Sequence, residues 1–249
     1  MTTTASSLIL EPGTVEAPCT DAGQVPVTVV ARMGEPVVHH RDGLSLDGPL
    51  AWATWMQHAS RHGHTSLPPI DHADWATDFA LPLARWAVPA DDLDTIHPGL
   101  LDASERFVWG WCASHADGTQ WTLDGTVWIR RKPAIEQMAR WSDAAKHHIG
   151  GGPLKARNVP MATVFAPEIR WWLVGDPDEL APLLDRITHI GSLTKQGHGR
   201  VLDWHVSDDP SDSARTNWTA GTPKISPGSP VRRGVRPPYH HHSRQVPCL

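Results

Sequence analysis

The stretch His189-Ile190-Gly191-Ser192-Leu193-Thr194-Lys195-Gln196-Gly197-His198-Gly199-Arg200-Val201 lies between two patterned segments. Before it, Asp176-Pro177-Asp178-Glu179-Leu180-Ala181-Pro182-Leu183-Leu184-Asp185-Arg186-Ile187 reads as a helix. Acidic residues crowd its first turn, and the leucines recur at helical spacing. After it, residues 201–206 alternate like a half-buried strand. Three glycines, with Lys195, His198 and Arg200 among them, therefore join a helix to a strand. Glycine has no Cβ, so backbone N–H groups in such a loop can approach a phosphate, and the flanking cations add charge and donors. The competing reading is a helix C-cap followed by an ordinary turn. P-loop and dinucleotide fingerprints are excluded, because both follow a strand and open a helix. A phosphate held here belongs to a polymer.

Outward from the loop, the elements predict one elaborated α+β domain. Residues 25–33 alternate as a first strand, and 47–60 follow as a helix with Asp47 at its N-cap. A long insertion spans about 66–152. Within it, 107–113 and 119–129 read as a hairpin around Asp117-Gly118, and 134–147 reads as an amphipathic helix. Residues 157–165 and 168–174 predict a second strand pair. The helix and strand around the glycine loop then complete a βαββαβ, ferredoxin-like pattern over residues 24–206. Residues 1–23 read as a mobile tail, and 207–249 as a loop (207–230) followed by a basic segment.

Composition narrows the function. Only Cys19, Cys112 and Cys248 occur, far apart, which supports neither a disulfide framework nor a zinc site. No apolar run has membrane-spanning length and no leader pattern is present, so a cytoplasmic protein is expected, without a membrane. His58, His62 and His64 put two imidazoles near one helical face. No Cys or carboxylate at ligand spacing completes a set, so no metal and no cofactor is expected. His240-His241-His242 is too short to mean more than adventitious binding. The 13 tryptophans read mostly as core, with Trp171 and Trp172 on opposite faces of a strand.

The formal charge of −5 conceals an uneven distribution. Residues 1–128 carry 5 Lys/Arg against 16 Asp/Glu, and residues 129–249 carry 17 against 11. The basic excess accompanies the glycine loop, and local surface charge decides anion binding. Arg130, Arg131 and Lys132 end a strand, and Lys146, His147 and His148 end the helix that follows, beside a triple glycine. Lys155 precedes the second strand pair and Arg157 opens it. Arg232, Arg233 and Arg236, with Tyr239, add cations and a stacking ring. Cations at helix ends also complement the helix dipole, which is the alternative for the insertion.

These features carry a resemblance. A glycine-rich loop between the last helix and last strand of a ferredoxin-like fold is a hallmark of the CRISPR-associated RAMP superfamily. Leu44-Ser45-Leu46-Asp47-Gly48-Pro49-Leu50-Ala51-Trp52-Ala53 is similar to the opening of that family's first helix. Lys155-Ala156-Arg157-Asn158-Val159-Pro160, Ile169-Arg170-Trp171-Trp172-Leu173-Val174-Gly175-Asp176 and Arg236-Pro237-Pro238-Tyr239 follow where the family places its motifs. Over roughly residues 24–206 and the terminal segment, the chain resembles the Cas-five-type subunit of type IV CRISPR systems.

The resemblance implies an RRM/RAMP-type domain whose insertion is a hairpin or helical thumb. It implies a non-catalytic subunit that holds the single-stranded 5′ portion of a guide RNA and caps a filament of repeated backbone subunits. A large subunit would be a further partner, with target DNA contacted at most indirectly. The amides of Gly191, Gly197 and Gly199, with Lys195, Gln196, His198 and Arg200, would meet phosphate or sugar. Two alternatives stay open. One is a metal-independent ribonuclease of the Cas-six type, with His39, His40, His58 or His62 as base. The other is a protein-only scaffold, which the acidic N-terminal half would suit.

Overall fold

The computed structural model describes residues 8–9, 23–38, 43–62, 80–89, 107–131, 157–220, 222–225, 229–237, 239 and 244–249. In chain order the elements are β1 (Leu8–Ile9), β2 (Val25–Met33), β3 (Val37–Val38), α1 (Asp47–His62), β4 (Arg85–Pro89), β5 (Phe107–Trp111), β6 (Thr122–Arg131) and β7 (Arg157–Phe165). They continue with β8 (Glu168–Gly175), α2 (Pro177–Leu184), a 3-10 turn (Thr194–Gln196), β9 (Val201–Asp208), α3 (Asp212–Asn217), β10 (Arg232–Gly234) and β11 (Gln245–Pro247). The class is mixed α and β, with strand predominating.

Alternation in β2 dictates the central sheet. Val27, Val29 and Ala31 face one side and are fully buried, while Arg32 faces the other and is exposed. β2 lies between β8 and β9, antiparallel to both. Across the inner face, Ile169, Trp171 and Leu173 of β8 join those valines. Leu50 and Ala53 of α1 and Leu180, Leu183 and Leu184 of α2 belong to the same core. Each such leucine contributes roughly 1.5–3 kcal/mol on burial. Trp171 resolves its one polar atom by donating Nε1–H to the Leu44 carbonyl at 2.9 Å, and its neighbour Trp172 is only half-buried. The two indoles thus lie on opposite faces, as strand alternation requires.

Two pairings differ from expectation. β7 does not form a strand pair with β8; it pairs with β6 over its whole length, and with β3 at its base. The free edge of β8 is occupied by residues 112–117 instead. Val174 N donates to Cys112 O (3.0 Å), Ser114 N to Trp172 O (2.9 Å) and Asp117 N to Arg170 O (2.8 Å). The expected hairpin of 107–113 with 119–129 is likewise absent, since β5 pairs with β4. Asp117 and Gly118 do turn the chain, with Thr119 N donating to Asp117 Oδ1 and Trp121 N to Gly118 O. That turn delivers one arm to β8 and the other to β7. Local turn chemistry reverses a chain but does not choose its partner.

The C-terminal region is more ordered than a loop. Ser211 caps α3, its Oγ accepting from Ala214 N. β10 and β11 form an antiparallel hairpin. Val235, Val246 and Cys248 from this region join Trp86, Val108, Cys112, Val174 and Trp218 in a second core. Within the expected N-terminal tail, β1 adds in parallel to β4. Residues 1–7 and 10–22 of that tail and the expected helix at 134–147 lie outside the described residues.

Candidate nucleic-acid interface

The helix before the glycine loop forms as its sequence demands. Asp176 Oδ1 accepts from Asp178 N (2.9 Å) and Glu179 N (3.3 Å), and Pro177 occupies the first turn, where no N–H is needed. Beyond α2 the chain doubles back, with Ile190 N donating to Gly199 O (2.9 Å) and Val201 N to Thr188 O (2.9 Å). Gly191, Gly197 and Gly199 all have positive φ, at 83°, 91° and 71°, and Leu193 does so too, at 59°.

The three glycines serve different ends. A Cβ at Gly199 would stand 1.9 Å from the Ile190 carbonyl oxygen, and one at Gly191 would stand 2.7 Å from that of Val38. At Gly197 nothing lies within 4 Å. Four loop amides are engaged inside the protein: Ser192 N to Val38 O, Gln196 N to Leu193 O, Gly197 N to Thr194 O and Gly199 N to Pro36 O. The expectation that Gly197 and Gly199 lend their N–H groups to a phosphate is therefore corrected. Gly191 and Gly199 are glycine because the loop lies hard against its own neighbours. What the loop turns outward is Lys195, Gln196, Gly197 and Arg200, all exposed, with His198 half-buried.

The β6–β7 ribbon collects a second group. At the end where β6 finishes and β7 begins, Arg131 pairs in register with Arg157, and Arg130 with Asn158. Arg130 and Arg157 are exposed. Trp128, two residues before Arg130 and so on the same face, is 64% exposed opposite Pro160. On the other face Val127, Ile129, Val159 and Met161 are half-buried. An open indole next to a guanidinium offers a base a stacking surface and a phosphate a charge. Trp128 was missed as a site residue because composition assigned tryptophan to the core; the Trp-x-Arg spacing on a strand was the available signal.

β3 connects the two groups. Val37 and Val38 pair with Val164 and Thr163 at the ribbon's base, and Val38 bridges Ser192 of the loop. From Val164 the ribbon extends about 24 Å to Arg157 at ordinary strand rise.

The C-terminal cations divide. Arg232 and Arg233 on β10 are exposed. Arg236 is 2% exposed, with Nη1–H donating to Trp109 O (3.1 Å) and its guanidinium 4.0 Å from the Trp109 ring centre. Tyr239 donates its O–H to the Asp47 carboxylate, with Ser45 Oγ 3.1 Å away, and Ser45 also donates to Asp47. Arg236 and Tyr239 are thus spent on internal packing, which corrects their expected place on an RNA surface. Burial pushes the Asp47 carboxyl above its ordinary value. Burial, reinforced by the Asp47 charge, raises the Tyr239 phenol. Asp47 itself lies inside the first turn of α1.

Lys132, Lys146, His147, His148 and Lys155 lie outside the described residues, as do His39 and His40. His58 and His62 fall on α1. Among the described residues no three His, Cys, Asp or Glu side chains gather as metal ligands, and no helix is long and apolar enough to cross a membrane.

Residues 130–249 match the family model of Csf3, a CRISPR type IV associated protein. The match supports a type IV Csf subunit. It begins at Arg130 and takes in β7, β8, α2, the glycine loop and the C-terminal hairpin, which carry Arg157, Lys195, Arg200, Arg232 and Arg233. No curated protein matches the chain.

Proposed function

We propose that this chain is a non-catalytic RNA-binding subunit of a type IV CRISPR ribonucleoprotein. It holds the single-stranded 5′ portion of the guide RNA and caps a filament of repeated backbone subunits, with a large subunit as a further partner. The observation that carries this reading is the β6–β7 ribbon, where Trp128 stands open beside Arg130 on one face, and Arg157 is exposed at the same end of the ribbon. Stacking on an open ring requires an unpaired base, so this chemistry favours a single strand over a duplex. Lys195, Gln196 and Arg200 extend the cationic track across the loop at the ribbon's base, and Arg232 and Arg233 add to it. Target sequence is then read by guide pairing, and the protein reads backbone.

In this reading the β8–β2–β9 sheet with α1 and α2 is a ferredoxin-like frame. β7 has left the sheet edge and become one side of the thumb. The test is to isolate the chain within its assembled complex and extract the bound nucleic acid. The reading expects RNA whose 5′ portion is shielded from nuclease by this chain; an RNA-free complex would make the chain a protein-only scaffold.

A further inference from the structure

The first helix is apolar on more than its core side. Leu50 and Ala53 of α1 enter the core, yet Trp52 and Met56 are 45% and 38% exposed. They stand one turn apart and so share one side of the helix, which Ser60 continues as a third exposed residue. Ser60 spends its hydroxyl on its own helix, donating to the Met56 carbonyl at 2.8 Å. From Gly48 to Ser60 the sequence holds no Asp, Glu, Lys or Arg. A helix on a protein surface normally sets charged residues against water, and one without them is normally covered all round. α1 has the composition of a helix covered on every side, yet in the chain by itself one side is open.

The chemistry of that open side selects the class of partner. Tryptophan and methionine are enriched, and charge is depleted, at the centre of protein–protein interfaces, where one buried tryptophan often dominates the affinity. Anchors four residues apart are how a helix enters an apolar groove. A polyanion is disfavoured, because this length of helix offers it no cation. The neighbouring helix strengthens the choice. α2 packs against α1 and exposes Asp178 and Glu179, and Asp185 follows at its C-cap, so that carboxylates outnumber Arg186 there. A groove edged with cations complements this layer, and an acidic one is repelled.

We infer that Trp52 and Met56 anchor α1 in an apolar groove, edged with Lys or Arg, on a neighbouring protein subunit of the complex. The inference rests on the proposed function only for the source of that subunit. The ribbon and the glycine loop take no part in it.

Trp52→Ala combined with Met56→Ala provides the test. Both positions are exposed and alanine is the best helix former, so the fold is kept. Trp52→Gln alone serves if the double variant does not fold. The full chain is titrated against the backbone subunit and the large subunit, each purified without it, and separately against a single-stranded RNA oligonucleotide. The wild type should bind one of the two subunits, and the double variant should bind that subunit about 30-fold more weakly. Its melting temperature and RNA affinity should match the wild type.

Equal subunit binding by the wild type and a folded variant overturns the inference, as does a wild type that binds neither subunit. Loss of RNA affinity in the variant would overturn it by making α1 an RNA contact. A wild-type dimer that the variant disperses would make the partner a second copy. A lower melting temperature at unchanged subunit binding would make residues 63–79 of the same chain the cover. Subunit binding through Trp52 without any RNA binding would sustain the inference and refute the proposed function, whereas RNA binding with unchanged subunit affinity does the reverse.

Discussion

Replacing Arg130, Arg131 and Arg157 together with alanine removes three cations at the end of the β6–β7 ribbon where β6 finishes and β7 begins. Each phosphate contact to a single strand contributes about 0.7 to the slope of log affinity against log salt. Three contacts therefore account for about 2.1 of that slope. Between roughly 50 and 200 mM salt, a span of about 0.6 in the logarithm, the wild type should lose roughly 20-fold more affinity than the variant. The fold should not suffer. Arg130 and Arg157 are exposed, and substitutions at exposed positions usually stay within about 0.5 kcal/mol. Fluorescence anisotropy of a labelled single-stranded RNA across a salt series reads the slope, and a thermal melt controls for folding. Trp128→Ala separates the two kinds of contact: it should cost about 1–3 kcal/mol of affinity at an unchanged slope. A folded triple variant with the wild-type slope would refute the ribbon as a phosphate contact.

The remaining predictions concern the loop, the buried network and chemistry. Gly199→Ala, whose Cβ meets the Ile190 carbonyl, should destabilise by about 3 kcal/mol or more, whereas Gly197→Ala should cost only about 1 kcal/mol; equal melting losses would contradict the division of roles. Because burial raises the Asp47 carboxyl above its ordinary 3.8, the folded chain holds that proton more tightly than the unfolded chain. The contribution is complete below the ordinary value and is lost as pH rises through the raised one, so the melting curve of Asp47→Asn should gain on the wild type as pH climbs above about 4. Parallel pH curves would show that Asp47 does not titrate in the fold. Arg236→Met should lower the melting temperature and leave the salt slope of RNA binding unaltered; a flatter slope would return Arg236 to the RNA surface. Alanine at His39, His40, His58 or His62 should leave the length of bound RNA unchanged, and accumulation of longer RNA with any one of them would establish a ribonuclease.

Much of the fold is written in local pattern. β2, β7 and β9 follow from period-two alternation, and α2 from Asp176 and the leucine spacing. Neither depends on a distant partner. Pairing does, and there the sequence is silent. Nothing near Arg157–Phe165 announces β6 as its neighbour, because β8 carries a similar alternation and lies across a short turn, whereas β6 is separated from it by residues 132–156. The site divides along the same line. Lys195, Arg200, Arg130 and Arg157 are exposed cations that composition alone could locate. Arg236 looks equivalent in sequence, but its fate is decided by Trp109, 127 residues away, whose ring and carbonyl take the guanidinium. The glycines mislead for a related reason: close approach of backbone to a ligand and close approach of backbone to itself call for the same residue, and only the Ile190 and Val38 carbonyls tell them apart.

Ultraviolet cross-linking of the assembled ribonucleoprotein, with the linked peptides and nucleotides both sequenced, tests RNA binding by this chain most directly. Cross-links from the 5′ portion of the guide to Trp128 and to the segment Lys195–Arg200 are the predicted result. A complex that carries guide RNA yet yields cross-links only to its other subunits would contradict it.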